Sequence, residues 1–154
     1  MKKLMFMCIG VCLFTTMAFA QKLTQKDLQG TWKMTAFSSE GISVDVTTEK
    51  FTLSKELEAQ ATPEIKQQIE LGILQAMEAL KESYAYFDGN NLRQTMGPQE
   101  QKGTYTLKEA DGKQLLTIAL PDGTSEEIVI AMKDKHLYMV QGGADGAEFV
   151  YIKQ

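Results

Sequence analysis

Residues 102–132 read KGTYTLKEADGKQLLTIALPDGTSEEIVIAM, three alternating runs separated by the pairs Asp111-Gly112 and Asp122-Gly123. Within them Tyr105, Leu116, Ile118, Leu120, Ile128, Ile130 and Met132 keep a period of two, which places apolar side chains on one face of each extended segment. Asp-Gly between such runs is a hairpin signal, because both residues tolerate the positive φ that tight turns demand. The stretch therefore predicts three consecutive antiparallel strands, Lys102–Lys108, Lys113–Leu120 and Ser125–Met132.

The same grammar extends in both directions. Tyr84–Phe87, Leu92–Met96, His136–Gln141 and Ala147–Lys153 are further strand-like runs, bounded by Asp88-Gly89-Asn90-Asn91, Gly97-Pro98, Asp134 and Gly142-Gly143. Far upstream, Thr31–Phe37 alternates so that Trp32, Met34 and Ala36 share a face. These runs number eight, and eight antiparallel strands in sequence order close into a barrel without exposed edges. The predicted fold is mainly β: an eight-stranded up-and-down antiparallel β-barrel with one amphipathic helix inserted between its first and second strands. Leu23–Leu28 can form one helical turn ahead of it, and Ile42–Leu53 reads as a strand or short hairpin.

The inserted helix starts at Thr62-Pro63-Glu64, with Thr as N-cap, Pro at the first helical position and an acid in the first turn. Ile65, Ile69, Ile73, Ala76, Met77, Leu80 and Tyr84 follow at three- and four-residue steps. A meander with the first strand running upward gathers this connection, the Gly97-Pro98 loop, the Asp122-Gly123 turn and the Gly142–Gly146 loop at one end. Thr62–Ser83 is then a lid over a mouth, with Ile69, Ile73 and Met77 on its inner face.

Gly30-Thr31-Trp32 resembles the Gly-x-Trp signature of lipocalin-like (calycin) proteins, and the meander after it strengthens the resemblance to a divergent bacterial branch of that family. The resemblance covers the strands and leaves the 38–83 insertion outside. It implies a cup for a small apolar molecule, with Trp32 at the closed end and a basic residue of the last strand across it. That residue here is Lys153, where lipocalins usually carry arginine, whose flat guanidinium stacks better on an indole. Together the strand phases and the resemblance nominate Met34, Tyr84, Met96, Tyr105, Leu120, Ile128 and Phe149 as ligand-facing residues toward the mouth. A filled core accounts for the same apolar phases, and parity does not separate a core from a cavity.

Residues 1–20 have the form of a secretory signal: Lys2 and Lys3, an apolar stretch from Leu4 to Met17, and Ala18-Phe19-Ala20 before Gln21. Its removal leaves residues 21–154 as one barrel domain, exported to a periplasm or the cell exterior. Both cysteines, Cys8 and Cys12, fall inside the signal, so the mature domain is expected to lack disulfides. Without Lys2 and Lys3 the 16 basic residues fall to 14 against 20 acidic, a formal charge of −6. A single arginine, Arg93, and an acidic balance argue against nucleic acid as a partner. No later run approaches the roughly 20 apolar residues of a spanning helix, so no membrane span is expected.

Chemistry finds little to stand on. The one histidine, His136, follows Asp134 in a turn, and no Gly-x-Ser-x-Gly elbow supplies a nucleophile. One histidine and no mature cysteine make a metal site improbable, and neither a metal nor an organic cofactor is expected. Glu126 and Glu127 are adjacent on a strand and point to opposite faces, so they cannot serve one cleft as a glycosidase pair. Asp88–Asn91 lacks the later acidic ligand of a calcium loop. The leading expectation is a non-enzymatic exported protein that binds a small apolar or amphipathic molecule inside the barrel. The competing one is a solid barrel that binds another protein, as an inhibitor or envelope-assembly factor.

Overall fold

A computed structural model describes residues 22–142 and 146–154. The signal-like segment 1–20 and most of the Gly142–Gly146 loop lie outside the described residues. Strand β1 (Gly30–Ser39) is followed by a small hairpin, β2 (Ile42–Asp45) and β3 (Lys50–Leu53). Two helices come next, α2 (Lys55–Gln60) and α3 (Pro63–Lys81), with α1 (Gln25–Leu28) preceding β1. Seven strands then run in sequence: β4 (Tyr84–Asp88), β5 (Asn91–Met96), β6 (Gln99–Ala110), β7 (Lys113–Ala119), β8 (Ser125–Lys133), β9 (His136–Gln141) and β10 (Ala147–Lys153). Each pairs antiparallel with the next, β4 pairs with β1, and β10 pairs back onto β1 from Trp32↔Lys153 to Ser38↔Glu148. The result is the expected closed eight-stranded up-and-down barrel.

The turns do what their residues allow. Ala110 and Lys113 pair directly across Asp111-Gly112, whose two residues both take positive φ, the geometry whose twist matches a right-handed hairpin. Asp134 and Lys135 adopt the same conformation between the paired Lys133 and His136. Thr62 caps α3 by accepting from the Ile65 amide at 3.4 Å, and Pro63 follows at the first position. Ser54 caps α2 in the same way on Leu57, at 3.2 Å. Helix α2 is a short polar piece, KELEAQ, with no buried residue, and therefore carries no apolar periodicity for sequence reading to detect.

One expectation about β1 is corrected. Trp32 and Met34 point into the barrel, but the pairing with β10 slips between Met34 and Ala36 and leaves Thr35 as an extra residue. This β-bulge shifts the phase by one. Phe37, opposite Phe149 and Val44, then joins the core side, while Ala36 pairs with Val150 on the other face.

The bulge also divides β1 between two neighbours. Its lower part, Gly30–Lys33, pairs with β4, and its upper part, Ala36–Ser39, pairs with β2. Met96, the last residue of β5, is thereby left without a strand partner on that side, since the pairing with β4 ends at Tyr84 opposite Thr95. The C-terminal end of helix α3 lies nearby. Its Ala79 lies against the Gly97 turn, Lys81 bonds Glu49 beside the β2–β3 hairpin at 2.9 Å, and Ser83 accepts from the Met34 amide at 3.0 Å. Ile73, Met77 and Leu80 are buried in one core with Val44 and Val46, and burial of each such side chain contributes about 1.5–3 kcal/mol.

The lower half of the barrel is filled. Trp32, Phe87, Leu92, Tyr105, Leu116, Ile130 and Leu137 are all buried there, and Leu23 and Leu28 plug the end from the N-terminal segment. Polar groups fix that plug. Gln114 exchanges two hydrogen bonds with the Leu23 backbone, at 2.6 and 2.8 Å, and Gln29 exchanges two with the Gly89 backbone, at 2.7 and 2.9 Å.

Candidate functional site

Above the filled half the interior opens into a concavity of about 300 Å³, at the small end of the range for ligand pockets. Strand parity builds it. Gln94 and Met96 of β5 pair with Gln101 and Gln99 of β6, and Ile128 of β8 pairs with Gln141 of β9, so each pair shares the inner face. Glu126, Met139, Phe149 and Tyr151 complete the interior lining, with Thr95 and Glu100 at the rim.

The floor is apolar: Ile128, Met139 and Tyr151 are buried, and Phe149 packs its ring 5.3 Å from that of Phe37. Toward the mouth the lining turns polar, with four glutamines and the Glu126 carboxylate. Burial pushes the Tyr151 phenol up to about 12, with the Gln94 amide acting in the opposite direction, so it stays neutral across ordinary pH. Gln141 donates to Glu126 at 3.3 Å. Glu100 is held as a carboxylate, below its ordinary range, first by Lys102 at 2.6 Å and then by Arg93 at 3.1 Å.

The residues nominated from sequence separate into groups. Met96, Ile128 and Phe149 line the concavity. Met34 is buried in the core, and Leu120 packs against that core from the end of β7. Two placements are corrected. Tyr84 is on the outer face, because its strand turns Ala85 and Phe87 inward; its ring stacks on Tyr86 at 5.8 Å, with the Lys33 ammonium 5.8 Å away. Tyr105 does face inward but at the closed end, where its hydroxyl bonds the Gly89 carbonyl and Gln29, each at 3.0 Å, and its ring meets Phe87 edge-on.

Ile69, Ile73 and Met77 do not line the concavity either. Ile73 and Met77 are buried in the main core and Ile69 is half-buried against it, so these side chains pack the core instead of facing the concavity. Sequence reasoning missed the glutamines. Their phase was readable, since Gln94 and Met96 alternate as Gln99 and Gln101 do, but a search for apolar residues passes over inward-facing amides.

At the opposite end Lys153 stands 5.5 Å over the Trp32 ring, and Trp32 donates from Nε1 to the Leu28 carbonyl at 2.7 Å. His136 belongs to the same end, its Nδ1 2.9 Å from the Asp134 carbonyl. Among the described residues no group of three or more histidine, cysteine or carboxylate side chains is placed to hold a metal, and no helix is long and apolar enough to cross a membrane. Compared with known proteins, the chain matches no family model, no curated protein and no solved structure.

Proposed function

We propose that this is an exported, non-catalytic, lipocalin-like binding protein that takes a small amphipathic molecule into the upper half of its barrel. The observation that carries the reading is the division of the interior: side chains fill the lower half, while the upper half is a concavity with an apolar floor and amide-bearing walls. Each CH₂ of a ligand transferred onto such a floor contributes about 0.8 kcal/mol, and the polar groups above it fix orientation. The volume sets an upper size, of a short chain or one ring system rather than a long acyl lipid.

Native mass spectrometry of the protein purified from its own host, followed by titration with a fluorescent apolar probe, tests this. A retained small molecule, or probe binding that disappears when Ile128→Trp occupies the floor, is the expected result. Absence of both for a correctly folded protein overturns the reading.

A second reading has one observation in its favour. Leu71 and Leu74 of α3 are 52% and 58% exposed, a pair of large apolar side chains on the helix face turned away from the barrel. In that reading the helix is a protein-binding surface.

A further inference from the structure

We propose that the upper concavity selects a cationic amphiphile, an apolar tail carrying a protonated amine, and that Glu126 is the residue that selects it. The inference rests on the binding reading above and adds the sign of the ligand's charge. Among the described residues two carboxylates and no basic side chain line the concavity. The two differ in what they already hold. Glu100 is neutralised at the rim by Lys102 and Arg93, which leaves it little attraction for a further cation.

Glu126 has no such partner. Its contact is the Gln141 amide at 3.3 Å, and no ion pair among the described residues includes it. Lys108 is taken by the neighbouring Glu127 at 3.4 Å, on the opposite face of the strand, and Lys102 by Glu100 at 2.6 Å. A carboxylate accepts only, and a glutamine amide bonded to one of its oxygens leaves lone pairs unused.

The neighbours suit an ammonium. Glu126 is the next inward residue after Ile128 on β8, so a head group beside it directs its chain onto the Ile128, Met139 and Phe149 floor. The three N–H donors of an ammonium match one carboxylate oxygen and the side-chain carbonyls of the inward-facing glutamines. Half-open placement keeps the cation partly hydrated and limits its desolvation cost. A fatty acid of the same length would set its carboxylate beside Glu126 with no cation to answer either charge. The acidic balance of the whole chain acts in the same direction.

Isothermal titration and two-dimensional NMR with octylammonium, octanol and octanoate test the proposal. We expect octylammonium to bind at least tenfold more tightly than octanoate, about 1.4 kcal/mol. Glu126→Gln should remove that preference. Glu126→Asp, which keeps the charge, should retain most of the preference, and so separates a charge effect from a fold effect. Raising salt should narrow the gap between octylammonium and octanol. Equal binding of octylammonium and octanoate, or a preference that survives Glu126→Gln, overturns the cation assignment and leaves the pocket standing. If none of the three perturbs the Ile128, Met139 or Phe149 signals, the binding reading itself fails and this inference with it.

Discussion

The Lys153 side chain crosses directly over Gly30 on its way to Trp32: a Cβ added at Gly30 would lie 3.2 Å from Lys153 Cε, and the ammonium ends 5.5 Å above the indole. Gly30 also sits at φ +112°, a conformation that side chains strain against. The glycine two residues before the tryptophan thus has a physical reason, since any larger residue would both distort the strand entry and displace the lysine.

Trp32 is the anchor of that end and Lys153 its cover. Trp32 is 1% exposed and spends its N–H on Leu28, so Trp32→Ala should cost about 3–5 kcal/mol. Lys153→Ala removes an exposed cation–π contact and should cost roughly 0.5–1 kcal/mol. Urea unfolding of both variants measures the difference. A Trp32→Ala cost under about 1 kcal/mol would mean that the plug holds without its indole.

Gly103→Ala probes the wall between β6 and β7. A Cβ there would stand 2.6 Å from the Ala119 carbonyl oxygen and 2.9 Å from Ile118 Cγ2, and the first of these is backbone that cannot turn aside. The expected loss is about 1–3 kcal/mol, the usual cost of overpacking, read as a lower urea midpoint with an unchanged slope. An unchanged midpoint would show that the strands separate at this point without penalty.

Alkaline pH should weaken the fold through Tyr151. Its folded value is raised to about 12 by burial, above an ordinary value near 10. For an acid whose folded value is raised, the stabilisation is fully present below pH about 10 and is lost as pH climbs toward about 12. The unfolded chain releases the proton first, so the slope of stability against pH is negative in that window. Tyr151→Phe should flatten it, and absorbance titration of the five tyrosines should show a late-titrating ring that vanishes in the variant. A wild-type slope unchanged by the substitution would remove Tyr151 as its source.

Strand order and barrel closure were legible because Asp-Gly pairs and two-residue alternation are local signals. The β1 bulge was not, because nothing in Lys33-Met34-Thr35-Ala36 marks the residue that the β10 register will skip; that slip depends on partners more than a hundred residues away. Tyr84 was nominated as facing inward, yet the phase of its strand is set by pairing with β1 and β5, which turns Ala85 and Phe87 inward instead. Tyr105 shows a different limit. Parity gives the face of a strand and says nothing of height in the barrel, which the staggered register between Asn91 and Thr104 decides. Glu126 was weighed only as half of an adjacent pair that cannot share a cleft, and only the assembled lining shows that its inward phase leaves it facing glutamines instead of a cation.

Helix α3 offers the sharpest contrast between neighbouring positions. Ile73 is buried against the core while Leu74, the next residue, is 58% exposed, and Ile65 at the start of the helix is 43% exposed. Since Ile73 holds α3 to the core, Ile73→Asp should free the helix from the hydrophobic cluster that includes Val44 and Val46 and cost several times as much as Leu74→Asp. A carboxylate at the buried position must be desolvated or expelled, whereas the exposed change falls within about 0.5 kcal/mol of neutral. Hydrogen exchange reads this directly: amides of Pro63–Lys81 and of β2–β3 should lose protection in Ile73→Asp, while β6 to β9 keep theirs. Uniform loss of protection across all strands would mean that the barrel cannot stand without the helix. Protection lost equally in both variants would mean that the outward Leu71 and Leu74 face is packed in solution, and would move preference to the protein-binding reading.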